Sequence, residues 1–272
     1  MDFRTIAIRE IRMGFRNPWA YSFMALFIVF SIILLLINAR NAVEGYSGVT
    51  SAMLNLILYL VPLMSLLLGS FSLTAEKEEG SWRLLSAYPL GTLSFIVGKY
   101  AGLTLVLWVI MFVGYGVSGM LGAVFGGGFA ISDFVLFIAF SMGLSFLFVA
   151  IAMMIGTFAR NRWQALTISV SIWFFAVIGW SSLLVAILGM VPYLYVKPAL
   201  IFLTFLNPAE LVRLFVIVKL GGGSILGPEY YDWVHWIGRA DGTLWFILIC
   251  TLWAAVAAGI AYIIWERGRH RE

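Results

Sequence analysis

Six uninterrupted apolar runs, at about 19–38, 51–73, 99–121, 133–157, 165–190 and 243–265, constrain this chain more than any other feature. Each reaches the roughly 20 residues that a helix needs to cross the hydrocarbon of a bilayer. Hydrocarbon offers the backbone no water, and a helix satisfies its N–H and C=O groups within its own segment. The expected fold is therefore an all-α membrane protein with six transmembrane helices. Composition agrees: only 11% of the 272 residues are charged, against roughly 25% in a soluble domain. Residues 18–265 read as one transmembrane domain, leaving no length for a nucleotide-binding domain. No GxxxxGKS/T loop is present to cradle ATP phosphates.

Residues 1–17 precede the first run. On a helical wheel Thr5, Arg9, Arg12 and Arg16 share one narrow arc, while Phe3, Ile6, Ala7, Ile11 and Phe15 lie around the rest. This is the pattern of an interfacial helix. It has neither the unbroken apolar core nor the small-residue cleavage site of a signal peptide, so numbering from Met1 is expected to hold. Six spans return the C-terminus to its starting side. With both termini cytoplasmic, 12 of the 17 basic residues lie inside: the four N-terminal arginines, Lys77, Arg83, Lys99, Arg160, Arg162, Arg267, Arg269 and Arg271. The inside bias of Lys and Arg supports that orientation, with 266–272 as a cytoplasmic tail.

Two interruptions of the apolar pattern carry the functional expectations. The first is the cytoplasmic segment 74–98. Trp82, Leu84, Leu85 and Tyr88 there form an apolar plug suited to another protein, edged by Glu76, Lys77, Glu78, Glu79 and Arg83. Gly80 permits the turn into this short helix and Pro89 ends it. The second is the outer connection 190–241. Its stretch 199–218 is long enough to be taken for a seventh span, yet Asn207, Pro208, Glu210 and Arg213 sit at its middle, where ionised groups in lipid are expensive. Two short helices outside or at the outer interface are expected, with Asn207 capping the second, Pro208 at its first position and Glu210 spaced to meet Arg213.

Other residues read as structural. Cys250 stands alone, and His235 and His270 lack the partners that acid–base chemistry or a multi-histidine metal centre requires. The methionines read as packing, and Gly98/Gly102 as a small-xxx-small pair for close helix contact. No HExxH or GxSxG segment marks an intramembrane enzyme. No continuous basic face with aromatic platforms marks a nucleic-acid binder.

The N-terminal elbow, the six spans, the stretch AEKEEGSWRLLSAYPLGTLSFIVGKY at 75–100 and the long connection before the last span resemble a type-2 ABC exporter permease (ABC-2, type V exporter architecture). With LNPAELVRL at 206–214, the chain is most similar to the permeases of nitrous-oxide reductase maturation transporters of the NosDFY type. The resemblance implies a homodimer in the bacterial inner membrane, bound to two copies of a cytoplasmic ATPase that holds ATP and Mg, with no cofactor in this chain. The elbow role maps onto Phe3, Arg9, Arg12, Phe15 and Arg16, and ATPase coupling onto residues 76–89. A periplasmic NosD-like repeat protein is expected on the outer face, with Asn207, Pro208, Glu210 and Arg213 as its contact. The implied task is export of a sulfur species or related factor for maturation of the copper–sulfide centre of the reductase. The alternatives are a transmitter of motion to an outer partner, or an exporter of another substrate such as a lipid or drug.

Overall fold

The structure, a computed structural model, describes residues 3–40, 48–80, 91–124, 131–239 and 241–269, and these form helices without strands. In chain order they are α1 (Phe3–Gly14), α2 (Pro18–Arg40), α3 (Gly48–Glu78), α4 (Thr92–Val124), α5 (Ile131–Phe158), α6 (Arg162–Met190), α7 (Tyr193–Leu206), α8 (Pro208–Lys219), α9 (Tyr231–Gly238) and α10 (Gly242–Arg269). α3, α4, α5, α6 and α10 are each long and apolar enough to cross a membrane. α2, with 23 residues, is about 35 Å long and bends 65° away from α1. This arrangement is compatible with six crossings behind an elbow.

The expected loop at 74–98 is narrower than its polarity suggested. α3 continues through Glu78 and α4 begins at Thr92, so both flanks are helical. The helix outlasts the apolar run because its last side chains find partners inside the bundle.

α5 lies at the centre, with Phe137, Leu144, Phe148, Val149 and Ala152 fully buried. α3 packs against it through glycines: a Cβ on Gly69 would stand 2.5 Å from that of Ala152, and one on Gly156 would stand 2.7 Å from that of Leu73. Lipid tails are as apolar as leucine, so close van der Waals contact is what draws helices together there. Polar links supplement it, with Tyr115 and Ser141 hydroxyls 2.7 Å apart and Trp108 Nε1 donating to Ser145 Oγ at 3.0 Å. Around this core, Phe174, Phe175 and Val185 of α6 and Leu244, Leu248 and Leu252 of α10 are exposed. Lipid tolerates faces of that kind and water does not.

The connection 190–241 corrects one expectation. α7 and α8 do form two helices, crossing at 109°. Asn207 caps the second, its Oδ1 accepting from Ala209 N at 2.9 Å, and Pro208 follows as expected. Gly221, at φ +82°, then ends α8. The hairpin does not stay at the interface, however. Asn207 Nδ2 donates to the Ala176 carbonyl at 2.6 Å, fourteen residues from each end of α6 and so about 21 Å from either. Trp253, eleven residues into α10, donates Nε1 to the Phe205 carbonyl at 2.9 Å. The tip thus reaches the middle depth of the bundle. There Asn207 bridges the break, and Glu210 and Arg213 pair at 2.7 Å.

Replacing Asn207 by leucine removes both bonds and leaves the buried Ala209 N–H without its cap. We expect a loss of about 1–3 kcal/mol, read as a lower thermal midpoint in detergent. An unchanged midpoint would show that the tip is held by packing alone.

Candidate functional site

The charged end of the bundle concentrates ionic side chains where α1 meets the ends of α3 and α4. Glu10 lies on the inward face of α1 beside Ile6 and Ala7, and all three are buried. Lys99, in the second turn of α4, is completely buried, as is Glu76 in the last turn of α3. Lys99 Nζ donates to Glu10 Oε1 at 2.6 Å and to Glu76 Oε1 at 3.1 Å. Arg9 reaches Glu76 Oε1 at 2.6 Å, and Ser72 Oγ donates to Glu10 Oε2 at 2.7 Å. Among the described residues, two cations and two carboxylates thus form one cluster joining three helices. Burial of charge is tolerable on these terms: each ion is paired and hydrogen-bonded.

The next residues tie the same end to the other helices. Lys77 Nζ donates to the carbonyls of Gly156, Thr157 and Ala159 at 2.9, 2.6 and 2.9 Å. These are the unsatisfied carbonyls at the end of α5, the negative pole of its dipole. The ammonium also stands 5.8 Å from the ring of Trp265 on α10, which stacks on Phe95. Glu78 accepts from the Arg162 backbone N–H at 2.8 Å and pairs with its guanidinium, placing a carboxylate at the start of α6. Glu79 meets the same guanidinium at 3.4 Å.

Packing holds the elbow to the cluster. A Cβ on Gly98 would lie 2.7 Å from the Phe3 carbonyl oxygen, and one on Gly102 would lie 2.7 Å from Glu10 Cβ and 2.8 Å from the Ala7 carbonyl oxygen. The Gly98/Gly102 pair is thus the seat of α1.

Of the expected coupling residues, Glu76, Lys77, Glu78 and Glu79 fasten helices together. The reason is geometric: continuing α3 to Glu78 turns Glu76 inward, and Glu79 alone of the three carboxylates keeps most of its side chain outside. Gly80 takes the expected left-handed turn at φ +68°. Trp82, Arg83, Leu84, Leu85, Tyr88 and Pro89 lie outside the described residues. Along the elbow, Phe3, Arg12 and Arg16 are exposed, Phe15 packs against the core and Arg9 joins the cluster. At the far hairpin Asn207, Pro208 and Glu210 are buried, so they shape the segment from within. Its outermost side chains include Tyr193, Leu194 and Tyr231.

Residues 4–268, including the elbow, the ionic junction and the re-entrant hairpin, match the family described as ABC-2 family transporter protein. The chain belongs to this family. Two relatives align along nearly their whole length, each named "Probable ABC transporter permease protein NosY". The one from Stutzerimonas stutzeri is 29% identical over 280 residues, covering 96% of this chain and 97% of the relative. The one from Pseudomonas aeruginosa is 29% identical over 274 residues, covering 97% of each. As an ABC-2 permease the chain is the multi-pass membrane subunit of an ABC transporter; it is not catalytic by itself, and its work depends on an ATPase partner. Among the described residues no group of three His, Cys, Asp or Glu side chains could hold a metal ion.

Sequence reasoning missed Glu10 and Ser72 and took Lys99 only as a topology marker. A signal was present for Glu10: it is the sole acid in an arginine-rich helix, three and four residues after Ala7 and Ile6 on the apolar arc. An acid on an apolar face demands a cation, and Lys99 opens an apolar run that starts on the same side.

Proposed function

We propose that this ABC-2 permease acts as a homodimer in the bacterial inner membrane, with its charged end cytoplasmic and a separate ATPase, carrying ATP and Mg, bound at each protomer's 76–89 segment. Closure of the ATPases pulls on that segment and repacks α2, α3 and α6 to open an outward route. The similarity to NosY permeases supports a sulfur species as cargo, delivered toward assembly of the copper–sulfide centre of nitrous-oxide reductase, with a periplasmic NosD-like protein receiving it. The observation that carries the coupling role is the ionic cluster. Glu76 lies in the last turn of α3, where that segment begins, and Lys99 near the start of α4, beyond its end, and both bond to the elbow. Force applied between them is shared by three helices at once.

Replacing Trp82 by alanine is expected to reduce co-purification of the ATPase at least tenfold, or to leave hydrolysis intact while transport stops, because buried aromatic anchors dominate such contacts. Membrane insertion should be unaffected. Normal coupled transport after scrambling residues 81–88 would overturn the docking role.

The re-entrant hairpin favours a second reading, in which the chain transmits motion to an outer partner without passing cargo. Asn207 ties the hairpin to the middle of α6, so movement of α6 carries through to the far side. Proteoliposomes loaded with labelled sulfide and supplied with ATP separate the two: label appearing on the far side supports transport, and hairpin rearrangement without release of label supports transmission.

A further inference from the structure

The 65° bend between α1 and α2 roofs a cavity of about 300 Å3 that the coupling role leaves unused. Its volume lies at the lower end of the range for ligand sites. The lining changes character with depth. At the charged end the mouth is formed by Arg16, Asn17, Glu79 and Arg162, and the interior by Leu68, Phe71, Leu103 and Leu107. From Leu68 to Glu78, the residue before Glu79, α3 rises about 15 Å. Trp19, half exposed and edge-on to Phe71 at 6.3 Å, marks the boundary between the two zones. Tryptophan favours the headgroup level of a bilayer, so the polar-to-apolar gradient of the cavity runs in step with that of the leaflet beside it.

The charges at the mouth are unequal in their commitments. Glu10 is held by Lys99 and Ser72, and Glu79 and Arg162 face each other. Arg16 is exposed and has no ion pair among the described residues. One uncommitted guanidinium at the rim of an apolar slot is complementary to an amphiphile with a single phosphate, since guanidinium binds phosphate through paired N–H donors. A free anion would use the rim and leave the apolar depth empty.

We propose that this cavity anchors one phospholipid of the leaflet at the charged end, its phosphate on Arg16 and the upper part of one acyl chain between α3 and α4 along Phe71, Leu68 and Leu107, the rest of the lipid staying in the leaflet. The lipid fills the hinge between elbow and first span, so the angle of α1 depends on it. This site stands independently of the cargo and of the ATPase docking proposed above.

The test uses the full-length permease, extracted in mild detergent from nanodiscs of phosphatidylethanolamine and phosphatidylglycerol, with retained lipid counted by native mass spectrometry. Wild type is expected to keep one phospholipid per protomer. Arg16→Glu should lower that occupancy at least fivefold, and Ala75→Phe, which projects a ring into the cavity from α3, should abolish it. Arg12→Glu, an exposed arginine of α1 that does not line the cavity, should leave it unchanged. Thermal midpoint and monodispersity confirm folding, and the smaller Ala75→Leu serves if the phenylalanine variant does not fold. Full retention in folded Ala75→Phe or Ala75→Leu protein overturns the proposal, as does equal loss from Arg12→Glu. Displacement of the retained species by millimolar inorganic phosphate would assign the rim to a free anion and overturn the lipid.

Discussion

Replacing Lys99 by methionine should cost about 3–5 kcal/mol of stability, the range seen when one partner of a buried ion pair is removed. The shape of the side chain is nearly kept, so the loss comes from charge. Glu10 and Glu76, both buried, would lose the ammonium they share, and Arg9 stays bonded to Glu76. The measurement is the thermal or denaturant midpoint of the purified permease. A second substitution makes the cause explicit. Adding Glu10→Gln to Lys99→Met restores charge balance, with Arg9 facing Glu76, and should recover at least half of the loss. An unchanged midpoint in Lys99→Met, or no recovery in the double variant, would refute an electrostatic role for the cluster. Coupled transport should fall with the single variant and return partly with the double.

The Gly102→Val variant should release the elbow. A Cβ there would stand 2.8 Å from the Ala7 carbonyl oxygen and 2.7 Å from Glu10 Cβ, and a backbone oxygen cannot rotate out of the way as a side-chain tip can. Overpacking of this kind costs about 1–3 kcal/mol, and relief is available only by moving α1 off α4. That movement separates Glu10 from Lys99. Amide exchange of residues 3–14 should therefore accelerate at least tenfold, and transport per ATP hydrolysed should drop by a similar factor. Gly116→Val, at a glycine of the same helix where a Cβ meets nothing within 4 Å, is the control and should change neither. Slow exchange in the Gly102 variant would show that the elbow is held by something other than this seat.

Helices at the six apolar runs were legible because hydrocarbon leaves the backbone no other choice over lengths of that kind. The cap at Asn207 was legible for a local reason as well: a side-chain oxygen before proline, followed by an acid, satisfies a helix start from its own neighbourhood. The charge cluster at 76–79 was visible as charge, yet its direction was not. Whether Glu76 faces a motor protein or a buried lysine depends on how far α3 continues and on the angle at which α1 crosses α4, and neither is a property of segment 74–98. Gly98 and Gly102 were recognisable as a contact stripe, but spacing alone could not say which helix fills it.

The depth of the 190–241 hairpin shows the same division. Its sequence holds a broken helix, a capping asparagine and an ion pair at i,i+3, all consistent with an interface in water. Inside the bundle the asparagine finds the Ala176 carbonyl, the ion pair still closes and Phe205 meets Trp253. By itself, then, the sequence determined what is local and repeated: membrane solvent, helix positions, caps, and a basic end. The tertiary structure decided what depends on distant partners: that Glu10, Glu76 and Lys99 form one buried cluster, that the elbow is seated on glycine, and that the hairpin descends to mid-depth. The physical reason is that the cost of a polar group in an apolar place is fixed by its neighbours in space, and these partners lie tens of residues away in the chain.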